Sequence, residues 1–80
     1  MKRKLLVEAE SEVHQTIYQG DIILLHNTIE YILCIISYVY NNNRIVGNII
    51  SNLKESKRYG RGDTIEFRKS NILDILLQIQ

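Results

Sequence analysis

Residues 22–49 read IILLHNTIEYILCIISYVYNNNRIVGNI, and the fold turns on how that run divides. Residues 22–25 are a four-residue apolar run, short enough for a buried strand, and residues 26–28 form a turn. Residues 29–40 are a second strand. Its odd positions give Ile29, Tyr31, Leu33, Ile35 and Val39, and its even positions give Ile32, Cys34, Ile36, Tyr38 and Tyr40. Both faces are apolar through the middle. Such a strand is either central in its sheet or bent so strongly that each half covers a different part of the core. Small barrels use strands of this kind to close on themselves. Asn41, Asn42 and Asn43 make a hairpin turn, because asparagine tolerates positive φ better than other non-glycine residues. The third strand, 44–54, puts Ile45, Ile49 and Leu53 on one face and Arg44, Asn48, Asn52 and Lys54 on the other. Gly47 interrupts its apolar face and marks a bend or a close backbone approach.

Further along, residues 55–62, ESKRYGRG, are a polar loop. A fourth strand over 64–68 turns Ile65 and Phe67 inward. Residues 69–71 reverse the chain tightly, and a fifth strand over 72–79 is apolar on both faces. Upstream, Gly20-Asp21 is a turn. The first segment admits two readings. Leu5, Ala9, Val13 and Ile17 recur every four residues, as on a helix, whereas Val7, Ala9, Ser11 and Val13 alternate with Glu8, Glu10, Glu12 and His14, as on a strand. Alanine and glutamate favour a short helix. The expected fold class is therefore mainly β: a small, highly bent, five-stranded antiparallel barrel over residues 19–80, preceded by a helix or strand over 1–18, in a single domain.

Eighty residues carry a formal net charge of +1, which provides no strong global attraction to nucleic acid. The charge is uneven. Residues 54–69 hold Lys54, Lys57, Arg58, Arg61, Arg68 and Lys69 against Glu55, Asp63 and Glu66. Cys34 is the sole cysteine, so no intrachain disulfide can form, and with His14 and His26 it lacks zinc-site spacing. No cofactor or metal is expected. A chain of this size buries only about 60% of its unfolded surface, so packing and self-association must supply its stability. The basic start loses its apolar run at Val7, and the longest apolar stretch, residues 29–40, is interrupted by Glu30. Neither a secretory signal nor a membrane span is expected, and with the unpaired cysteine this points to the cytoplasm.

The run LLHNTIEYILCIISYVYNNN, residues 24–43, is similar to the first motif of the Sm and Sm-like RNA-binding proteins: strand, short turn, second strand, then a loop ending in asparagine. GDTIEFRKSNILDI, residues 62–75, is similar to the second motif, with an outward arginine, a polar turn and a short apolar strand. The resemblance covers roughly residues 20–77. The family's glycines fall here at Thr28 or Ile29, within Ile32–Cys34, and at Lys69. Src-homology-3-like barrels share the strand order and account for the same pattern. The resemblance implies a ring of identical subunits, in which the fourth strand of one pairs with the fifth of the next. An apolar terminal strand needs such cover independently of the analogy. Its side chains, Ile72, Ile75, Leu76, Leu77 and Ile79, together with Ile65 and Phe67 of the fourth strand, are the expected oligomer interface.

In the Sm-like reading Arg68 and Lys69 meet phosphate or stack on a base; otherwise they are a solvated strand end. Tyr40 is a stacking platform beside Asn41, Asn42 and Asn43, which can hydrogen-bond base edges, or the three asparagines are only a turn. Lys57, Arg58 and Arg61, with Tyr59 between them, suit contacts to a nucleic-acid backbone, or form a solvated loop. The tripeptide at 61–63 is a coincidence with a cell-adhesion signal. No nucleophilic or phosphate-loop constellation is present, and an enzyme is not expected. Two further readings stand beside the RNA-binding homo-oligomer: a protein-binding adaptor or regulator of phage or mobile-element type that docks on a host protein, and a homo-oligomeric structural assembly protein.

Overall fold

The computed structural model describes residues 6–10 and 13–78, and five antiparallel strands dominate it. They are β1 (Ile22–His26), β2 (Tyr31–Asn41), β3 (Arg44–Ile49), β4 (Thr64–Phe67) and β5 (Asp74–Leu77), with one turn of 3-10 helix, Lys69–Asn71, between the last two. One sheet holds all five in the order β4-β3-β2-β1-β5. β4 and β5 are its two edges, and among the described residues no ladder joins them, so the sheet is not closed. The chain is compact, with a radius of gyration of 11.5 Å. Among the described residues no helix is long and apolar enough to cross a membrane.

β2 explains its own two-sided apolar sequence. It is the middle strand, and it is also bulged. Ile36 pairs with Gly47 and Tyr38 with Val46, so Ser37 is an extra residue; Tyr40 is a second extra residue before Asn41 pairs with Arg44. The bulges reverse the alternation. Before Ser37 the even residues Ile32, Cys34 and Ile36 are buried, and after it Val39 is the one that packs on the core while Tyr38 and Tyr40 point outward. Gly47 sits where a Cβ would collide with the Cys34 sulfur and press on the Ile35 carbonyl and the Phe67 ring, so the close approach expected there is what the strand pair requires.

The core is built from the inward faces of the strands: Ile23 and Leu25, Ile32, Cys34 and Ile36, Ile45 and Ile49, and Phe67, closed by Ile17 and Ile72. Each such side chain contributes about 1.5–3 kcal/mol relative to exposure. β3 is shorter than its alternating sequence suggests. After Ile49 the chain leaves the sheet, and the Ser51 hydroxyl takes over as acceptor for the Leu33 N–H at 3.0 Å. β5 is likewise shorter, because Ile72 has dropped into the core and Leu73 donates its N–H to Leu24 at 2.8 Å.

The N-terminal segment is neither helix nor strand among its described residues, 6–10 and 13–18. The helix favoured by its alanine and glutamates is replaced by an extended strap. Val7 donates its N–H to the His26 carbonyl and Ala9 to the Ser70 carbonyl, both at 2.7 Å, so these backbone groups bind other parts of the chain instead of one another. The alternation of period two is the pattern that it follows: Val7 and Ala9 are half-buried while Glu8 and Glu10 are exposed.

Candidate nucleic-acid interface

The tip of the β2–β3 hairpin folds against the β4–β5 connection. Asn41 shapes the tip, its side-chain oxygen accepting the Asn43 N–H at 2.7 Å. The Asn42 carbonyl accepts the Lys69 N–H, also at 2.7 Å. Two segments some 27 residues apart in the chain are thereby joined, and the asparagines lie beside Arg68 and Lys69. The turn behind them is tied by Asn71, whose buried side chain accepts the Arg68 N–H at 2.8 Å.

Aromatic surface adjoins this corner. Tyr38 and Tyr40 are each 53% exposed, and they meet edge to face at 4.6 Å between centroids. The Arg44 guanidinium lies 4.3 Å from the centre of the Tyr40 ring, a cation–π contact, and its Nε is 3.3 Å from Glu66. Tyr40 is the extra residue of the second bulge, whereas Tyr38 pairs with Val46. Arg68 points towards the strap, with its guanidinium 3.2 Å from the Glu8 carboxylate. Glu8, Tyr38, Arg44 and Glu66 are therefore part of this surface although the sequence singled out none of them. The alternating glutamates at 8, 10 and 12 and the Tyr-x-Tyr spacing were the available signals.

The other expected cations stand elsewhere. Lys57 and Arg58 are exposed on a loop fastened to the β1–β2 turn. The Glu30 carboxylate accepts the backbone N–H groups of Lys54, Glu55 and Ser56 at 2.9, 2.9 and 2.6 Å and the Ser56 hydroxyl at 2.7 Å. These bonds, the Ser56 hydroxyl first, hold the carboxyl down at about 2. Asn27 adds bonds to the Ser56 and Tyr59 hydroxyls at 2.8 and 3.1 Å. Glu30 precedes β2 and Asn41 ends it, so this loop and the hairpin tip lie at opposite ends of an eleven-residue strand. Arg61 is exposed on the turn that leads into β4, the end of that strand away from Arg68. The nine expected contacts thus divide: Tyr40, Asn41, Asn42, Asn43, Arg68 and Lys69 share one corner, while Lys57, Arg58 and Arg61 do not reach it.

The expected oligomer interface is also divided. Phe67 and Ile72 are buried within this chain's own core and have no surface to offer a partner. Ile65 and Ile75 are partly buried against the same core. Leu76 and Leu77, on the outer edge strand, are 50% and 54% exposed. Ile79 lies outside the described residues. Cys34 is fully buried, and burial pushes its thiol up to about 12, so it is a small core residue and not a nucleophile. No family model, curated protein or solved structure matches this chain.

Proposed function

We propose that this chain is a small-barrel protein of Sm-like or Src-homology-3-like kind that binds single-stranded RNA at the hairpin corner and self-associates through its sheet edges. The observation that carries the reading is the Lys69–Asn42 hydrogen bond, which gathers the asparagine tip, an exposed tyrosine pair and the cations Arg68 and Lys69 on one surface. Single-stranded nucleic acid needs this combination: ring faces on which bases stack, amides for base edges, and positive charge for phosphates. The bulges of β2 supply the bending that a small barrel demands. Among the described residues no further strand pairs with either edge of the sheet, as pairing of β4 with β5 of a second copy requires. The homo-oligomer is part of this reading; the ring itself as the product is its structural variant.

Fluorescence anisotropy with a labelled single-stranded RNA tests the proposal. Affinity should fall steeply with salt, and both Arg68→Ala and Tyr40→Ala should weaken binding, the latter by about 1–3 kcal/mol for one lost stack. Absent binding, or binding indifferent to salt, overturns it. The exposed Leu76 and Leu77 on a free edge favour a second reading, in which a strand of another protein adds to β5 and the chain acts as an adaptor. A pull-down that recovers one stoichiometric protein and no RNA selects that reading.

A further inference from the structure

Glu8 belongs to the strap before β1, yet its carboxylate is held by three side chains of the β4–β5 connection. Arg68 Nη2 lies 3.2 Å from Oε1. The Ser70 hydroxyl donates to the two oxygens at 2.9 and 3.1 Å, and Asn71 Nδ2 donates to Oε2 at 2.6 Å. A guanidinium, a hydroxyl and a carboxamide converging on one anion suit a tetrahedral phosphate as well as a carboxylate. The backbone of this turn and the Asn71 carboxamide are held without Glu8. Asn71 accepts the Arg68 N–H at 2.8 Å and donates its own N–H to the Arg68 carbonyl at 2.9 Å, and Asn42 holds Lys69 between them. The Glu8 and Arg68 side chains are 41% and 42% exposed, so theirs is a surface ion pair, a weak and exchangeable kind.

We propose that Arg68, Ser70 and Asn71 form a phosphate-binding site, that Glu8 occupies it as a tethered carboxylate, and that an incoming phosphate displaces Glu8. The inference rests on Arg68 as a phosphate contact in the reading above and adds the regulation of that contact. A competitor carried on the same chain lowers the apparent affinity by the fraction of molecules in which the site is vacant. Phosphate of an RNA backbone and free phosphate present the same chemistry, and the two arms of the test separate them.

The first arm titrates inorganic phosphate while following the side-chain nitrogen resonances of Arg68 and Asn71. Glu8→Gln should move these signals at about three- to tenfold lower phosphate than the unaltered protein. Glu10→Gln removes the same charge from the same strap and should leave the midpoint near that of the unaltered protein. Equal midpoints for Glu8→Gln and Glu10→Gln, or no phosphate response at Arg68 in Glu8→Gln, overturn the proposal. The unaltered protein supplies a measurement free of any folding defect: saturating phosphate should shift the Glu8 carboxylate carbon, and a response at Arg68 without one at Glu8 also overturns it. The second arm uses the RNA oligonucleotide. If Glu8→Gln sharpens the phosphate response while neither protein binds RNA, the RNA reading fails and the anion site stands. If both bind RNA equally tightly, the RNA reading stands and displacement of Glu8 is refuted.

Discussion

Thr28 holds a φ of 76°, the one non-glycine residue with positive φ among those described. A β-branched side chain there costs about 1–2 kcal/mol of strain. It is tolerated because Asn27 fixes the turn around it, its side-chain oxygen accepting the N–H groups of Ile29 and Glu30 at 3.1 and 2.9 Å. The Thr28 side chain is exposed, so little packing is lost on its removal. Glycine relieves the strain but adds about 0.5–1 kcal/mol of freedom to the unfolded chain. Thr28→Gly should therefore stabilise by about 0.5–1 kcal/mol and raise Tm in a thermal melt by about 3–6 °C. Thr28→Ala keeps a Cβ and should bring no comparable gain. Equal gains from both would place the cause outside the backbone angle. Gly47 is the opposite kind of residue, and its meaning was legible from sequence. A glycine breaking the apolar face of an alternating strand implied a close approach, and the Cys34 sulfur and Phe67 ring are what come close. Threonine by itself signals no positive φ, and the one mark on Thr28 was the family resemblance, which puts a glycine at Thr28 or Ile29.

The loop 54–60 keeps its place through an element-level device, one carboxylate closing three successive backbone N–H groups. Glu30 is held down at about 2 from an ordinary 4.5, so its ionised form is favoured by the folded state. The contribution of a group with a lowered pKa is complete above its unfolded value and is lost as the pH falls towards the folded one. Hydrogen exchange at the amides of Lys54, Glu55 and Ser56 should accordingly lose protection, relative to the β2–β3 ladder, between about pH 4.5 and 2. Glu30→Gln should release the loop at neutral pH, with tryptic cleavage after Lys57 and Arg58 faster by about three- to tenfold. Unchanged cleavage would show that Asn27 alone suffices. The elements themselves were largely readable. Turn residues together with apolar runs or alternation located all five strands, and the period of two is cleanest in β1 and β3, which bury every second residue. Their ends were not, since strands β3 and β5 stop where Ser51 and Leu73 make bonds that no local pattern announces. The N-terminal segment misled for a related reason. Alanine and glutamate favour helix locally, but distant carbonyls of His26 and Ser70 claim the backbone N–H groups of Val7 and Ala9.

At the scale of the molecule the sheet has two edge strands, unpaired on their outer sides among the described residues, and one of them, β5, carries Leu76 and Leu77 into solvent. The two leucines were expected among five side chains of the terminal strand, with Ile65 and Phe67 of β4 beside them. The reduction follows from the tail's partition, with Ile72 filling this chain's own core and Ile75 lying against it. Which cations would share a surface was likewise beyond sequence, because the corner is made by one backbone bond between Lys69 and Asn42 and the loop carrying Lys57 and Arg58 is anchored at the far end of β2. An exposed pair of leucines on an edge strand is covered most simply by a second copy. If copies join edge to edge, each brings Arg68 and Lys69, and one RNA strand meets several such pairs at once. For single strands the slope of log affinity against log salt is about −0.7 per phosphate neutralised, so one protomer contributes about −1.4 and an assembly a multiple of it. Replacing both leucines by asparagine leaves the charge unchanged and removes the apolar cover. Light scattering should then fall from a multiple of 9.4 kDa to 9.4 kDa, and the salt slope of RNA binding should fall in the same variant. An unaltered protein that scatters as a 9.4 kDa species at high concentration would sink the edge-to-edge assembly. A slope that stays steep in the double variant would instead place all the phosphate contacts on one chain.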